Sequence, residues 1–284
     1  MNKKRNCLLF LLLGSAFMLQ AQTEISESKF YIKVYGGYGL LTPGSYKLLS
    51  SSNAGGTSGN TSLSKTGLGA GIRAGGGIGV IVSDFLNLGA DVEYLSGASL
   101  KSSTSYLPPT GYSFISRTQI KYSALSITPH VVFKALSKPD YLIYNKFGIL
   151  LNLPMNIKKT EFDSSFNAGA AYTYSANKTG TYKVGLTAGL SVALGVQVRL
   201  TDKLRGFAEL FGNYLVLSPT NYDENRIEVA NGKSVTSDYH LIYIKDGQTS
   251  NTSTPTSSTS TTSVYGSTLN MNAVGINLGV TYRF

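Results

Sequence analysis

Charged residues of both signs recur at alternate positions within apolar and glycine-rich segments of the chain. This spacing places the ions on one face of a β-strand and the apolar residues on the other. Ion pairing is the chemistry available to them, because an enclosed charge is costly unless an opposite charge meets it. We predict a structural luminal charge network inside a barrel, and the alternative is a gate or narrow polar path. Its members are Lys33, Arg73, Asp91, Glu93, Lys146, Arg199, Arg205, Glu209 and Arg283.

The two histidines are the remaining candidates for catalysis or metal binding. His130 shares a strand face with Ser126, but four residues along a strand span about 13 Å, too far for a nucleophile–base hydrogen bond. His240 is near Asp238 and Asp246 in a polar segment, which is a weak hint of a triad or metal site. A solvated loop histidine is the simpler interpretation. We therefore expect no catalytic residue, no metal site and no cofactor, since scattered carboxylates lack a ligand spacing.

The N-terminus predicts a secretory signal peptide at residues 1–21. Lys3, Lys4 and Arg5 precede an apolar stretch, and a small-residue cleavage site ends at Ala21. Cys7 is the only cysteine, so the mature chain, residues 22–284, contains no disulfide. The remaining cations are spread along the predicted strands, which argues against a nucleic-acid partner.

Alternation predicts an all-β fold in which residues 22–284 form one eight-stranded antiparallel up-and-down barrel. The predicted strands are about 30–41, 67–82, 86–96, 118–134, 141–153, 182–200, 204–216 and 271–284. Short links alternate with long polar ones near 42–66, 97–117, 154–181 and 217–270, as in transmembrane barrels with long extracellular loops. Both termini then lie in the periplasm. The strand count is open by one hairpin, because Arg226–Val229 and Leu241–Ile244 can extend or add strands.

Three features favour a membrane barrel over a soluble, lipocalin-like one. The apolar face of the strands has no charge, and the polar face is rich in glycine, which suits a tight interior. Aromatic residues gather near strand ends, where amphipathic rings meet lipid headgroups. They are Phe30, Tyr38, Phe85, Tyr94, Phe133, Tyr141, Tyr182, Tyr214, Tyr282 and Phe284. Pro129 predicts a bulge in the fourth strand, because proline lacks a ladder donor.

Several short motifs resemble those of outer-membrane β-barrel proteins of Bacteroidetes, in the broad OmpA/OmpW-like and PorT-like group. They are residues 19–22 (LQAQ), 30–39 (FYIKVYGGYG), 126–129 (SITP) and 279–284 (GVTYRF). The last resembles the signal read by the barrel-assembly machinery, with Val280, Tyr282 and Phe284 on one face. The resemblance covers the whole mature chain and reflects architecture more than activity.

The resemblance implies an outer-membrane protein, expected to be a monomer, in contact with outer-membrane lipid and lipopolysaccharide. We expect a non-enzymatic structural or surface-interaction role in the cell envelope. The first alternative is a narrow OmpW-like transport barrel for small or apolar compounds. A lipid-A-modifying outer-membrane enzyme is a further alternative, for which the chain offers only the two histidines discussed above.

Overall fold

The structure is a computed structural model that describes residues 29–41, 59–63, 68–106, 111–167, 169, 172–244, 259–265 and 268–284. The predicted signal peptide and Asp246 lie outside the described residues. Among the residues that are described, no helix is long and apolar enough to cross a membrane. These residues form β-strands connected by turns and short irregular segments.

Sixteen strands occur in the described part of the chain. In order they are β1 (Phe30–Leu41), β2 (Gly59–Leu63), β3 (Gly71–Ile81), β4 (Leu86–Gly97), β5 (Leu100–Tyr106), β6 (Tyr112–Ser137), β7 (Tyr141–Asn167), β8 (Tyr172–Lys183), β9 (Thr187–Arg199), β10 (Leu204–Tyr214), β11 (Val216–Leu217), β12 (Asn221–Ala230), β13 (Lys233–Ile244), β14 (Thr259–Tyr265), β15 (Leu269–Asn270) and β16 (Ala273–Arg283).

Eight of these strands close into an antiparallel ring. Its order is β1-β3-β4-β6-β7-β9-β10-β16, and β16 pairs with β1 to complete the circle. Each ring strand lies beside the next ring strand along the chain, which is an up-and-down connection. The predicted all-β antiparallel fold is confirmed. The prediction of eight strands is wrong for the chain as a whole and gives the number in the ring alone.

The other long strands continue one side of the ring as an open sheet, which we call the extended wall. It consists of β2, β5, residues 112–121 of β6, residues 158–167 of β7, and β8, β12, β13 and β14, in that order. All its pairs are antiparallel except β13 with β14. The additional hairpin that the sequence left open at 226–229 and 241–244 is present as β12 and β13. Most of the other wall segments were predicted as loops, because both of their faces are polar and lack the apolar–polar alternation used to recognise strands.

The extended wall also explains the shifted strand bounds. The strands predicted at 118–134 and 141–153 are longer, because β6 and β7 run on as one hairpin into the wall. The strand predicted at 182–200 is divided: β8 pairs with the wall part of β7, and β9 pairs with its ring part. Residues 184–186 connect the two.

Pro129 does not cause the bulge that the sequence predicted. The β6–β7 register is the same on both sides of Pro129, from Ile127 opposite Leu151 to His130 opposite Gly148. The pairs at residues 128 and 129 are missing, but no extra residue is inserted. The register shifts between Ser123 and Ala124, where Pro154 lies on the partner strand. The ring therefore accommodates Pro129 by losing two backbone pairs between β6 and β7 while the register of the two strands stays the same.

Inward-facing glycines make room for tyrosine rings on neighbouring strands. A Cβ atom at Gly79 would meet the ring of Tyr31, one at Gly75 would meet Tyr35, and one at Gly195 would meet Tyr144. Each tyrosine is the direct cross-strand partner of its glycine. Paired rings cover the exposed glycine backbone and pin the strand register. The glycine-rich polar face is thus a packed interior.

Both described ends of the chain lie at the same rim of the ring. Phe284 N donates to Phe30 O, and Arg283 N donates to Lys203 O in a short turn. The tight connections at 82–85, 138–140 and 200–203 lie at this rim, which we call the short-turn end. The extended wall projects from the opposite rim, the wall end.

Candidate functional site: a filled lumen beneath the extended wall

The ring presents an apolar belt to its surroundings. Alternate residues of every ring strand are exposed and apolar, as shown by Ile72 at 65 %, Leu194 at 52 % and Leu278 at 61 %. Exposed aromatics border the belt, with Phe30 and Phe85 at the short-turn end and Tyr38 and Tyr94 toward the wall end. The eight-residue step between Phe30 and Tyr38 is about 26 Å along a strand, or about 20 Å along the normal at a tilt near 40°, so the two rings stand close to the two borders of a belt about 25 Å tall.

Four of the nine predicted luminal ions meet at the centre of the ring. Lys33 Nζ is 2.9 Å from Asp91 Oδ2, and Lys146 Nζ bridges Asp91 Oδ2 at 3.4 Å and Glu209 Oε2 at 2.7 Å. The hydroxyl of Tyr144 also donates to Glu209. We call Lys33, Asp91, Lys146 and Glu209 the central ion cluster. All four are buried, and two cations balance two anions, which suits charges that are excluded from water.

A second, separate pair lies closer to the wall end. Arg73 Nη1 donates to Glu93 Oε1 at 2.6 Å, and Arg73 Nη2 donates to the carbonyl of Gly69. The guanidinium lies over the Phe211 ring, 4.6 Å from its centroid. Arg73 is 2 % exposed, so this pair fills the cross-section of the lumen without joining the central ion cluster.

The three remaining predicted ions lie toward the short-turn end. Arg199 is exposed and pairs with Asp202 in the following turn, so it departs from the predicted network. It stands at the last residue of β9, where the strand leaves the ring and solvent replaces the lumen. Arg205 and Arg283 are partly buried near the same rim, outside the central ion cluster. Arg283 lines a cavity of about 40 Å³ beside Lys33 and Glu209, room for a few water molecules.

Apolar side chains close the lumen beneath the wall, in a layer that sequence analysis missed. We call this cluster the apolar plug. It consists of Leu68, Leu95, Leu100, Ile120, Tyr122, Ala124, Leu150, Ile157, Tyr182, Leu215, Leu217, Tyr222, Leu269 and Met271, with Val184 against it. Its members come from β4, β6 and β7 of the ring, from β5, β8 and β12 of the wall, and from the links next to β3, β10 and β16. Two short segments in those links, β11 and β15, pair with each other and carry Leu217 and Leu269. Leu215 and Leu217 are 0 % exposed, so the plug excludes water.

The plug can be traced in part to the sequence. Tyr122 and Leu150 share the inward parity of the luminal polar residues on their strands, and apolar residues at inward positions indicate a change in the lining. Ile157 has the opposite parity and faces inward only beyond the register shift at Pro154. Tyr182 was predicted as a headgroup aromatic but belongs to this buried layer, where its ring lies 4.4 Å from that of Tyr222. Leu215 lies in the strand predicted at 204–216 and has the inward parity of Glu209, so its burial could be predicted. Leu217 and Leu269 lie outside the strongly alternating part of their strands, and the sequence pattern did not predict their inward position.

Neither histidine forms a nucleophile–base pair in the structure. His130 is buried, and its Nδ1 lies 3.0 Å from Thr128 O and 3.7 Å from Asp91 Oδ2. The Ser126 hydroxyl accepts from Asn152 Nδ2 at 2.8 Å. His240 is near Asp223, whereas the sequence suggested Asp238. Within the described ranges, no group of three or more His, Cys, Asp or Glu side chains is arranged to hold a metal ion.

The inner face of the extended wall carries its own ion pairs. Lys178 contacts both Glu161 and Asp163, and Lys159 contacts Glu161. Burial favours a raised pKa for Glu161, but hydrogen bonds from Lys159 and Lys178 outweigh it and lower that pKa to about 2. Burial likewise favours a lowered pKa for Lys178, and its bonds to Asp163 and Glu161 raise it overall. These ions therefore remain charged across the physiological range.

Tyrosines and an arginine line the same inner face farther along the wall. The Tyr222 hydroxyl donates to Glu224 at 2.7 Å, Arg226 pairs with Glu224 and Glu228, and its guanidinium lies 4.2 Å from the centroid of Tyr239. A cavity of about 320 Å³ is bounded by this group together with Lys159 and Lys178. A second cavity, of about 530 Å³, is lined by residues from both faces of β5, β6, β7 and β8, among them Arg117, Gln119 and Glu161. Cavities of this size accommodate small ligands or parts of larger ones.

The predicted assembly signal lies at the seam that closes the ring. Val280, Tyr282 and Phe284 are exposed on the outer face, and the Tyr282 and Phe284 rings meet edge to face at 5.4 Å. Tyr282 pairs with Ile32 on one side and Leu204 on the other. The side chains thus face the belt's surroundings, where a second protein or lipid can reach them.

Solved outer-membrane proteins align with most of the chain. A major outer membrane protein from Thermus thermophilus matches at 12 % identity and a TM-score of 0.36, over 90 % of this chain and 99 % of that one. OprG from Pseudomonas aeruginosa matches at 10 % identity and a TM-score of 0.37, over 91 % and 98 %. No protein-family model and no curated protein matches the chain. The likenesses are distant, so the function proposed next is based on the chain's own residues.

Proposed function

We propose that the protein is a non-enzymatic outer-membrane barrel that is closed to conduction and holds the extended wall outside the cell for contact with surface partners. The apolar belt supports the membrane placement, because an exposed apolar face around a closed ring is stable in lipid and costly in water. A ring also leaves no unpaired strand edge within the bilayer.

The filled lumen is the observation that carries the proposal. Two layers cross it in series, the central ion cluster and the apolar plug. An ion entering from the short-turn end would have to displace Lys146 from Glu209 and then cross side chains that are 0–9 % exposed. Water-excluding apolar constrictions block ions, since ions cannot shed hydration there without replacement ligands.

Conductance measurements in lipid test the proposal that the barrel is closed. Proteoliposomes and planar bilayers containing the refolded protein should show no steady openings, and osmotic swelling with small sugars should match protein-free vesicles. Protease protection of the ring strands in the same vesicles verifies insertion, so silence cannot come from an empty bilayer. Steady, protein-dependent openings would instead support the second candidate, a narrow OmpW-like barrel for small or apolar compounds.

Several finer expectations belong to this proposal. The wall end faces outside and both termini lie in the periplasm, because the machinery that inserts barrels delivers them from that side. Val280, Tyr282 and Phe284 serve as the assembly signal, and the barrel acts as a monomer among outer-membrane lipid and lipopolysaccharide. The Bacteroidetes origin rests on the sequence motifs alone. Labelling of the wall on intact cells, with the turns at 82–85 and 138–140 protected, tests the orientation.

A further inference from the structure

The outer face of the extended wall contains cations and no acid among its described residues on β5 to β8. Residues on this face alternate with the buried inner ones, and the acids of the region, Glu161 and Asp163, belong to the inner set. The outer cations are all exposed: Lys101, Arg117, Lys121, Lys158 and Lys183. The two faces of this part of the wall therefore differ in charge, and the outer face attracts anions.

Two of these lysines stand directly opposite each other. Lys121 on β6 pairs in register with Lys158 on β7. Like charges at opposed positions of an antiparallel pair destabilise it. Lys183, two residues beyond the partner of Lys158, is neutralised by Asp223 at 2.8 Å. Within the described part of the chain, neither Lys121 nor Lys158 has such a partner, so an external anion between them would remove an unfavourable contact.

The lysine pair stands just beyond the apolar belt. Leu125 and Leu153 are opposed where the belt ends, Ser123 and Asn156 follow, and the lysines come next. The step from Leu125 to Lys121 is about 13 Å along the strand, or about 10 Å along the normal at a tilt near 40°. Headgroups extend about 5–7 Å beyond the hydrocarbon, and a lysine stem can bend toward them. Both ammonium groups therefore reach the level of lipid phosphates.

Beyond the lysines, the same face offers hydrogen-bonding side chains. Gln119 and Thr160 are the next opposed pair, and Arg117 comes after them, opposite Phe162. A diacyl phospholipid would leave these residues unused, because its headgroup ends near its phosphate. A sugar headgroup with more than one phosphate would contact both levels, with its hydroxyls on Gln119 and Thr160 and a further phosphate toward Arg117.

We propose that this outer face binds a phosphorylated glycolipid of the outer leaflet, with a phosphate between Lys121 and Lys158. Its acyl chains lie along the belt beside Leu153 and Met155, which is 64 % exposed. The inference rests on the proposed outer-membrane placement and adds a binding site to it. In this account the wall is anchored to the leaflet on one side and presents the cavity beside Tyr222 and Arg226 on the other.

Binding of lipid A by the full-length mature protein in a neutral detergent tests the site. Each charge contact at a membrane surface corresponds to about a fivefold change in affinity, so K121Q/K158Q should bind diphosphoryl lipid A about twenty-five-fold more weakly. The matched control is K138Q/K203Q, which removes two exposed lysines from the short-turn end and should leave the affinity unchanged. If the double variant folds poorly, K121Q and K158Q are measured singly, with about fivefold losses expected.

Competing ligands separate the sources of the anion. Dephosphorylated lipid A should bind wild type weakly, and inorganic phosphate and phosphatidylglycerol should not compete at matched phosphate concentration. Equal affinity of wild type and K121Q/K158Q, or equal competition by phosphatidylglycerol or inorganic phosphate, overturns the glycolipid site. Protease protection in proteoliposomes is recorded on the same samples. Protected protein without lipid A binding contradicts this site alone, whereas unprotected ring strands contradict the membrane placement as well.

Discussion

The ring and the extended wall share the β6–β7 hairpin but differ in their strand pairing and in the polarity of their faces. β6 and β7 run without interruption through both regions. In the ring, each strand has two neighbours, an inner face of ions and glycine-packed tyrosines, and an apolar outer face. In the wall, the sheet is open, and both faces are polar.

The difference shows which environment each region is made for. Lipid demands an apolar outer face and a closed hydrogen-bond ladder, and the ring supplies both. Water demands neither, so the wall can remain an open sheet and can use its outer face for charge. The apolar plug marks the boundary on the inside, where the ionic lumen gives way to the wall's inner face. Breaking one region should therefore leave the other largely intact.

The largest effect is expected from removing a buried cation of the ring. Lys146→Met leaves Glu209 and Asp91 without their shared partner in a dry interior, which should cost about 3–5 kcal/mol of unfolding free energy. Lys178→Met, the matched change in the wall, removes the partner of Asp163 but leaves Glu161 paired with Lys159, so a smaller loss is expected. Urea unfolding of refolded barrels in detergent compares the two. Equal losses in both variants would contradict the separation of the regions.

A smaller effect should follow from filling the tyrosine–glycine contacts of the ring. Gly195→Val places a branched side chain where the Tyr144 ring lies, and overpacking of this kind costs about 1–3 kcal/mol. Gly185 lies between β8 and β9, and an added Cβ there meets no atom within 4 Å, so Gly185→Ala is the control. The temperature at which the folded band disappears on a gel gives the readout. Loss of stability in the Gly185 variant alone would refute the packing account.

Sequence alternation was sufficient to predict the strands of the ring but not those of the wall, and the reason is physical. Ile276, Leu278 and Val280 alternate with polar residues because one face touches lipid, so the period is visible. β8 and β12 face water outside and ion pairs inside, so their residues show no such period. The central ion cluster joins four ions from four different strands, and alternation gives the face of each residue but not its height in the ring. Arg199, for example, has the parity of an inward-facing residue but lies at the short-turn end, outside the central ion cluster.

A third, smaller effect should be confined to the wall. Tyr222→Phe removes the hydroxyl that donates to Glu224, which is buried and retains Arg226, so a loss of about 1 kcal/mol is expected. Hydrogen exchange should quicken in β8 and β12 and stay unchanged in β1 and β16. Faster exchange in the ring strands would show that the two regions unfold together.

Acid should produce the smallest effect, because the ions of the wall's inner face are partly open to solvent. The pKa of Glu161 is lowered to about 2 from its ordinary value near 4.5 by Lys159 and Lys178, against the opposing effect of burial. A depressed carboxyl pKa contributes stability that is present above pH 4.5 and is lost as the pH falls toward 2. Exchange in β7 and β8 of the wall should rise across this window. The Glu161→Gln variant should lose the pH dependence, and a dependence that persists in it would contradict the assignment.

Accessibility of spin labels along β9 tests the central claim, that the outer face of the ring touches lipid while its inner face is filled. Single cysteines at 190, 192, 194, 196 and 198 alternate with cysteines at 191, 193 and 197 in the mature chain, in which we expect no native cysteine. Gly195 is left unchanged, because a side chain there would meet the Tyr144 ring. The account predicts that labels in the first set collide with oxygen dissolved in lipid and are shielded from a polar nickel reagent. Labels in the second set should be immobile and shielded from both. Collision of the first set with the polar reagent, in protein that stays dissolved without detergent, would contradict the account.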